Sequence, residues 1–437
     1  MRALGERPYG TDCAGRSVSA PTERTKRLDK GNIMKQAVMY GGGNIGRGFI
    51  GALLGGSGYA VTFIDVALPV VEALQKDRRY PVRYVSSEGA EDVWVENVTA
   101  VNGMDADAVA QTIAQCDIMA TAVGARILPR IVPNIVAGLR LRWQEGKKPL
   151  NILICENLND ANKVLEQMIR DQLTEEEQGV FTETVGLVEA SIGRMVPVQT
   201  EQMKDGEPLR VCVERYGFLP TDGEAFQGGI PEIKGMIPYT PFDFYLKRKL
   251  FLHNMGHAVC AYLGDLLGLE FIWQAVDVAD IRVLVQNAML ESAMALAKKY
   301  GASLSDLQAH IFDLLYRFTN RALGDTCARV GGDPARKLSP SDRLIGASLL
   351  AQEMGITPAY ITVGAAAGIW RYLKENALSQ SRENACKVLE EVCQLQPESQ
   401  LAETILSYYE MLRQGCSVAE LCARAEQVRH AGFGDVV

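Results

Sequence analysis

The chain has 437 residues, 47% of them apolar and 22% charged, which is the make-up of a soluble globular protein long enough for two domains. A formal net charge of −8 excludes a general nucleic-acid binder and confines any anionic small substrate to a place where a few Arg and Lys converge. The ten cysteines form no CxxC pair or zinc-spaced Cys/His cluster, and no apolar run approaches the roughly 18 residues of a membrane span; the expectation is a cytoplasmic protein with reduced thiols, no metal and no membrane partner.

Residues 1–33 are rich in Gly, Arg and Thr without apolar periodicity, and Glu6, Asp12, Glu23 and Asp29 argue against a transit peptide. They are expected to be a disordered tail, with Met34 opening the folded protein. A short apolar strand, 36–40, then runs into Gly41-Gly42-Gly43-Asn44-Ile45-Gly46. A helix-like stretch follows, and a second strand, 59–64, ends at Asp65. This is G-x-G-x-x-G between a strand and a helix, with an acid closing the next strand. Gly41 permits the tight turn, Gly43 lets backbone approach a pyrophosphate, and Gly46 lets the helix pack on the strand. Amides at the helix start, those of Asn44 and Ile45 among them, hold the diphosphate. Asp65 accepts bonds from the adenosine ribose and repels a 2′-phosphate, so the expected cofactor is NAD rather than NADP.

The β-α alternation continues through apolar segments at 93–101, 118–123, 150–155 and 185–190, with helical stretches at 107–115, 128–143 and 162–173. Ligands of doubly wound sheets bind beyond the carboxyl ends of the strands. Thr121-Ala122-Val123-Gly124 and Glu156-Asn157 fall there. Thr121 and Ala122 are therefore candidate cofactor contacts, and Asn157 can donate its amide toward the reacting carbon, although alone it reads equally as a turn cap. Between 195 and 232, Pro and Gly punctuate short β-like runs such as 209–215, which suggests an irregular connector with a small antiparallel addition to the sheet.

From about residue 240 the pattern is helical: 242–267, 278–300, 304–319, 341–353, 358–377, 382–394, 400–414 and 417–430. The expected fold is an α/β, Rossmann-type doubly wound N-terminal domain (34–232) followed by a mostly α-helical C-terminal domain (233–437), with a cleft between them. The first long helix carries KRKLFLHNMGHAVCAYLG, 247–264. At ~100° per residue, His257 lies about 80° and Asn254 about 140° from Lys249, so the three share one side. A lysine among apolar neighbours binds its proton less tightly, which makes it a candidate acid or base near neutral pH. Taken alone, the pattern also fits a helix whose polar residues face solvent or a satisfied core. His253 lies about 40° from Lys249, and periodicity does not choose between the two histidines. Residues 328–344, ARVGGDPARKLSPSDRL, are either a solvated loop or, through Arg329, Arg336, Lys337 and Arg343, an anion or polyol clamp.

GGGNIGRGFIG, TAVG, CEN, RKLFLHNMGHAVCAYLG and RVGGDPARKLSPSDRL resemble, in order, the motifs of the polyol-specific long-chain dehydrogenases. The resemblance runs from Met34 to at least residue 375. It implies an NAD-dependent, metal-independent oxidation of D-mannitol 1-phosphate to D-fructose 6-phosphate, and the reverse. Lys249 would be the general acid/base, Asn157 and Asn254 amide donors to the developing alkoxide, and His257 the group that orients a neighbouring hydroxyl. Arg329 and Lys337 would contact substrate oxygens. Arg329, Lys337, Arg343 and Arg194 all stand open as phosphate ligands. The alternative is a related polyol dehydrogenase, or a tagaturonate or fructuronate reductase, with an unphosphorylated substrate. Two departures bear on the charge near the substrate: Lys247 stands where look-alikes tend to have an acid, and Gly332 replaces a basic residue. β-Hydroxyacid dehydrogenases space their Lys and Asn one residue closer, and a non-catalytic NAD sensor would not need Lys249. Family members are often monomeric, and a monomer is expected.

Overall fold

A computed structural model describes residues 34–146, 148–158, 160–197 and 199–431. The segment expected to be a tail, 1–33, lies outside the described residues. Eleven strands follow in chain order: β1 (Gln36–Tyr40), β2 (Ala60–Asp65), β3 (Arg79–Ser86), β4 (Gly89–Glu96), β5 (Val98–Asn102), β6 (Ile118–Thr121), β7 (Leu150–Ile154), β8 (Val185–Glu189), β9 (Val211–Val213), β10 (Leu219–Asp222) and β11 (Met236–Tyr239). The central sheet has the order β5-β2-β1-β6-β7-β8 and is parallel throughout. β6 (IMAT) and β7 (LNILI) are buried along their whole length, as uninterrupted apolar strands must be when helices cover both faces. Winding reverses between β1 and β6, and the crevice of such a sheet opens at that point.

Two expectations are corrected. The segment 93–101 is not one strand: Asn97 adopts a left-handed φ of 58° and breaks it. β5 alone joins the central sheet, while β4 pairs antiparallel with β3, a strand the sequence reading did not assign. β4 leaves Glu91, Val93, Trp94 and Glu96 exposed, so it could not have served as a strand covered on both faces. The connector also differs. β9 pairs parallel to β3 in a separate three-stranded sheet, and β10 and β11 form a two-stranded parallel pair, so the connector adds no antiparallel strand to the central sheet.

Beyond residue 242 the helices run Asp243–Arg248, Met255–Leu266, Ile272–Asp277, Ala279–Tyr300, Leu304–Phe318, Ile345–Glu353, Ala359–Glu375, Arg382–Glu391, Gln400–Arg413 and Val418–Ala431, with shorter turns between them. Buried apolar residues from Phe251 to Val428 make one core; those from Ala37 to Met236 make two more, one on each face of the sheet. The described residues from Lys35 onward form one compact unit. Among the described residues, no helix is long and apolar enough to cross a membrane.

The Met255–Leu266 helix lies at the centre of the helical part, where the Ala359–Glu375 helix reaches it at close range. A Cβ on Gly364 would lie 2.4 Å from a Val259 methyl, so only glycine allows that approach. The Ala359–Glu375 helix has no cap from its own N-cap residue, Pro358. Buried Glu291, on the Ala279–Tyr300 helix, takes that part: its carboxylate accepts the amides of Tyr360 (2.9 Å) and Ile361 (3.0 Å). Replacing Glu291 with Ala strands these donors in the core. Chemical denaturation of Glu291→Ala is expected to show a loss on the order of 3 kcal/mol, against almost none for an exposed substitution such as Glu383→Ala.

Candidate active site

The loop after β1 is built by steric exclusion. Gly41 has φ +104°, and a Cβ there would sit 2.5 Å from the Ala122 carbonyl oxygen. A Cβ on Gly46 would come within 1.9 Å of the Gly41 carbonyl oxygen, so the helix start can seat on the strand end only without a side chain. Gly43 is different. It is exposed, beside exposed Asn44, and a Cβ there meets no chain atom within 4 Å. The helix that follows begins with a π segment, Gly46–Gly51. Asp65, at the end of β2, accepts the Gly42 amide at 2.6 Å and the Ala67 amide at 2.9 Å. Its negative charge is thereby fixed beside the loop. Arg47, which the sequence reading passed over, donates to the Gly42 (2.7 Å) and Leu209 (2.6 Å) carbonyls and ties the loop to the connector. The open face at Gly43, the free helix start and the anchored acid fit a dinucleotide diphosphate and ribose.

Next to this loop lies a cleft of about 480 Å³. Ile45, Ala122, Gly124 and Asn157 line it from the sheet side, Lys249, Asn254 and His257 from the long helix, and Arg329 and Lys337 from the segment before residue 344. Six of the eight predicted cofactor residues, Gly41, Gly43, Asn44, Gly46, Asp65 and Thr121, do not line this cavity; the first five form the adjoining loop and strand end. Thr121 is fully buried at the end of β6 and its hydroxyl has no partner, so Ala122 and Gly124 present that segment to the cleft. Glu156 holds the segment in place by accepting the amides of Val123 (2.9 Å) and Gly124 (2.8 Å), and exposed Asn157 follows it.

The helix carrying Lys249 is continuous from residue 243 to 266, but its middle, Lys249–Asn254, is a π segment. A π turn bonds residue i to i+5, so five residues span little more than one turn and Asn254 lies closer to the Lys249 face than the about 140° of regular α spacing. Burial, with help from the positive Arg343, lowers the Lys249 amine to about 8. His253 and His257 both line the cleft, and burial keeps His253 well below its ordinary value, with Arg317 adding to the effect. The His257 ring stacks on Phe318 with centroids 4.7 Å apart, and its Nε2 is 3.4 Å from Asp325 Oδ2. Asp325 also accepts Arg329 Nε at 2.7 Å. Burial works to raise the Asp325 carboxyl, but His257 and Arg329 outweigh it and hold the group below the usual carboxylate range. Asp325 was not a sequence candidate. Its i, i+4 spacing to Arg329 is visible in the chain, whereas its contact with His257 is made only by the fold.

The lining therefore holds six cationic side chains (Arg194, Lys249, Arg329, Arg336, Lys337 and Arg343) against two carboxylates, Glu156 and Asp325. Among the described residues, no group of three or more His, Cys, Asp or Glu could hold a metal ion. The arrangement offers a proton acceptor of modest basicity, amide donors one π turn and one strand end away, and a positive wall.

The family model described as the mannitol dehydrogenase Rossmann domain matches residues 35–235, and the mannitol dehydrogenase C-terminal domain matches 242–420. A mannitol-1-phosphate 5-dehydrogenase of Brevibacillus brevis is 38% identical over 333 residues, which is 76% of this chain and 85% of the relative. Another, of Geobacillus thermodenitrificans, is 38% identical over 311 residues, 71% of this chain and 80% of the relative. The structure of Pseudomonas fluorescens mannitol 2-dehydrogenase in ternary complex with NAD and D-mannitol aligns at TM-score 0.71 and 16% identity, covering 90% of this chain and 94% of that one, a likeness of fold.

The loop geometry separates ligand-facing from structural glycines. Gly43→Ala is expected to leave the melting temperature within about 2 °C of the parent while weakening NADH binding roughly tenfold. Gly46→Ala should lower the melting temperature itself, because its Cβ has nowhere to go. Thermal melts and NADH fluorescence titrations on both variants check this, and equal melting losses at the two positions would refute the assignment.

Proposed function

Because this chain belongs to the mannitol dehydrogenase family, we propose that it interconverts D-mannitol 1-phosphate and D-fructose 6-phosphate with NAD, acting in the cytoplasm as a monomer. Bound NAD⁺ supplies the hydride acceptor. Lys249 takes the proton from the substrate hydroxyl in the oxidation direction and returns it in reduction. Asn254, one π turn away, and Asn157, after β7, donate amide N–H groups to the same oxygen as its negative charge develops. His257 is held by Phe318 and Asp325 so that it meets a neighbouring hydroxyl in one orientation. Arg329 and Lys337 contact further substrate oxygens. The observation that carries the reading is half-buried Lys249, its amine lowered to about 8, which lines with Asn254 and Asn157 a cleft that adjoins the glycine loop.

The sign of the pH dependence follows from that value. Oxidation needs the neutral amine, so its rate rises with pH through about 8 and then levels; reduction needs the ammonium and falls over the same interval. Lys249→Ala should lose at least ~10²-fold in turnover and still bind NADH. A pH profile that stays flat in both directions, or a variant that keeps its turnover, would remove the lysine from this role.

The positive lining and the relatives favour a phosphorylated substrate, although a positive lining alone would also accept a hexuronate. A panel of fructose 6-phosphate, fructose and tagaturonate, each with NADH and NADPH, tests the choice. Fructose 6-phosphate with NADH is the expected best pair, since the Asp65 charge beside the loop repels a 2′-phosphate. Turnover of fructose or tagaturonate with fructose 6-phosphate inert would overturn the proposed substrate.

A further inference from the structure

We infer that Arg343 and Lys337 together form the seat of the substrate's phosphoryl group, an assignment that rests on the sugar-phosphate reading above. Other cations of the cleft are already engaged. Arg194 donates to the carbonyls of Tyr216 and Gly48, the latter at 2.8 Å, and its guanidinium lies over the Phe49 ring at 4.4 Å. Arg329 is turned onto Asp325 and is 48% exposed, and Arg336, 47% exposed, is bonded to Asp333 and Asp342.

Arg343 and Lys337 differ from these. Arg343 is only 8% exposed, and Asp342 Oδ1 engages just one of its side-chain nitrogens, Nε, at 2.7 Å. Its two terminal nitrogens have no partner among the described residues. Lys337 is 5% exposed and its amine has none either. Both side chains line the cleft. Asp342, which engages Arg343, is shared with Arg336, and Asp333 is also bonded to Arg336, so the three cations Arg336, Lys337 and Arg343 outnumber the two acids there. Burial lowers the Lys337 amine to about 8, and Arg343 and Arg336 lower it further than Asp333 and Asp342 restore it. Buried like charges repel until an anion joins them. A phosphoryl dianion supplies that charge and matches the two parallel N–H donors of a guanidinium, whose rotamer Asp342 fixes in advance. Arg343 also depresses Lys249, so the seat and the acid/base group belong to one electrostatic unit.

The test uses the whole enzyme with inorganic phosphate as probe. Phosphate is expected to raise the melting temperature of the wild-type protein and to compete with the sugar substrate. Arg343→Gln and Lys337→Gln should each weaken phosphate inhibition, and kcat/KM for fructose 6-phosphate, at least tenfold, with NADH binding kept. Arg343→Lys, which keeps the charge and loses the fork, should fall between; it replaces the Gln variant if that one does not fold. A folded Arg343→Gln protein with wild-type phosphate inhibition overturns the seat, and so does a wild-type protein indifferent to phosphate. Should the wild type turn over only an unphosphorylated sugar, the proposed substrate fails by itself, and phosphate inhibition of that turnover in the two variants still decides the seat.

Discussion

An ammonium withdrawn from water with no carboxylate acting on it is costly, and the surroundings of half-buried Lys249 are organised around that cost. Burial and the positive Arg343 lower the Lys249 amine, Cys155 works weakly the other way, and no Asp or Glu is among the causes. A nearby Asp or Glu would have kept the ammonium charged far above neutral pH and removed its use as a base. The two carboxylates that do line the cleft are committed elsewhere, Glu156 to backbone amides and Asp325 to His257 and Arg329. Acid/base behaviour near pH 8 thus comes from where the carboxylates point as much as from the lysine itself.

The scaffold must then hold the amine still. The π segment at Lys249–Asn254 interrupts an otherwise α-helical element without ending it, which brings Asn254 toward the face that carries Lys249. The opposite wall is tied to the helical part by a buried ion pair. Arg317, on the Leu304–Phe318 helix, donates Nε to Glu214 at 2.8 Å and Nη2 to the Gly193 carbonyl at 2.6 Å. Such a pair adds little net stability, but separating its members would strand charges in the core. It therefore resists displacement of the 191–197 wall, which contributes Ile192 and Met195 to the cleft, from the helix that carries Phe318 and stacks it on His257.

Much of this was legible in the chain. The glycine loop, the acid ending β2, the parallel alternation and most helices were readable because each rests on local rules: a turn that needs glycine, an apolar strand, a 3.6-residue period. The long helix was placed correctly, but the face it presents was not fully readable, because a π turn leaves no mark in periodicity and the 100° rule misplaces Asn254. The β3–β4 hairpin went unseen although Tyr80, Val82 and Tyr84 alternate with Arg79, Pro81 and Arg83 in β3, because the apolar run Val93–Val95 drew β4 into a strand reaching 101, and a left-handed Asn97 looks like any other polar residue. The partnership of His257 with Asp325 joins residues far apart in sequence and was beyond any local rule. So was the distinction between an arginine that is spent, such as Arg194, and one that is not, such as Arg343.

Net charge and site charge run opposite here, and the contrast has a physical consequence. A chain of formal charge −8 repels anions over most of its surface, yet its cleft is lined by six cations and two acids. Charges that converge on a cleft with low-dielectric walls focus their field there, so the attraction felt by a small anion is concentrated at the cleft instead of being spread over the protein. One of these cations, Arg343, depresses Lys249, and a dianion bound beside it would offset that effect. With Lys249 in its proposed role, the substrate's charge would thereby take part in setting the protonation of the base that acts on it.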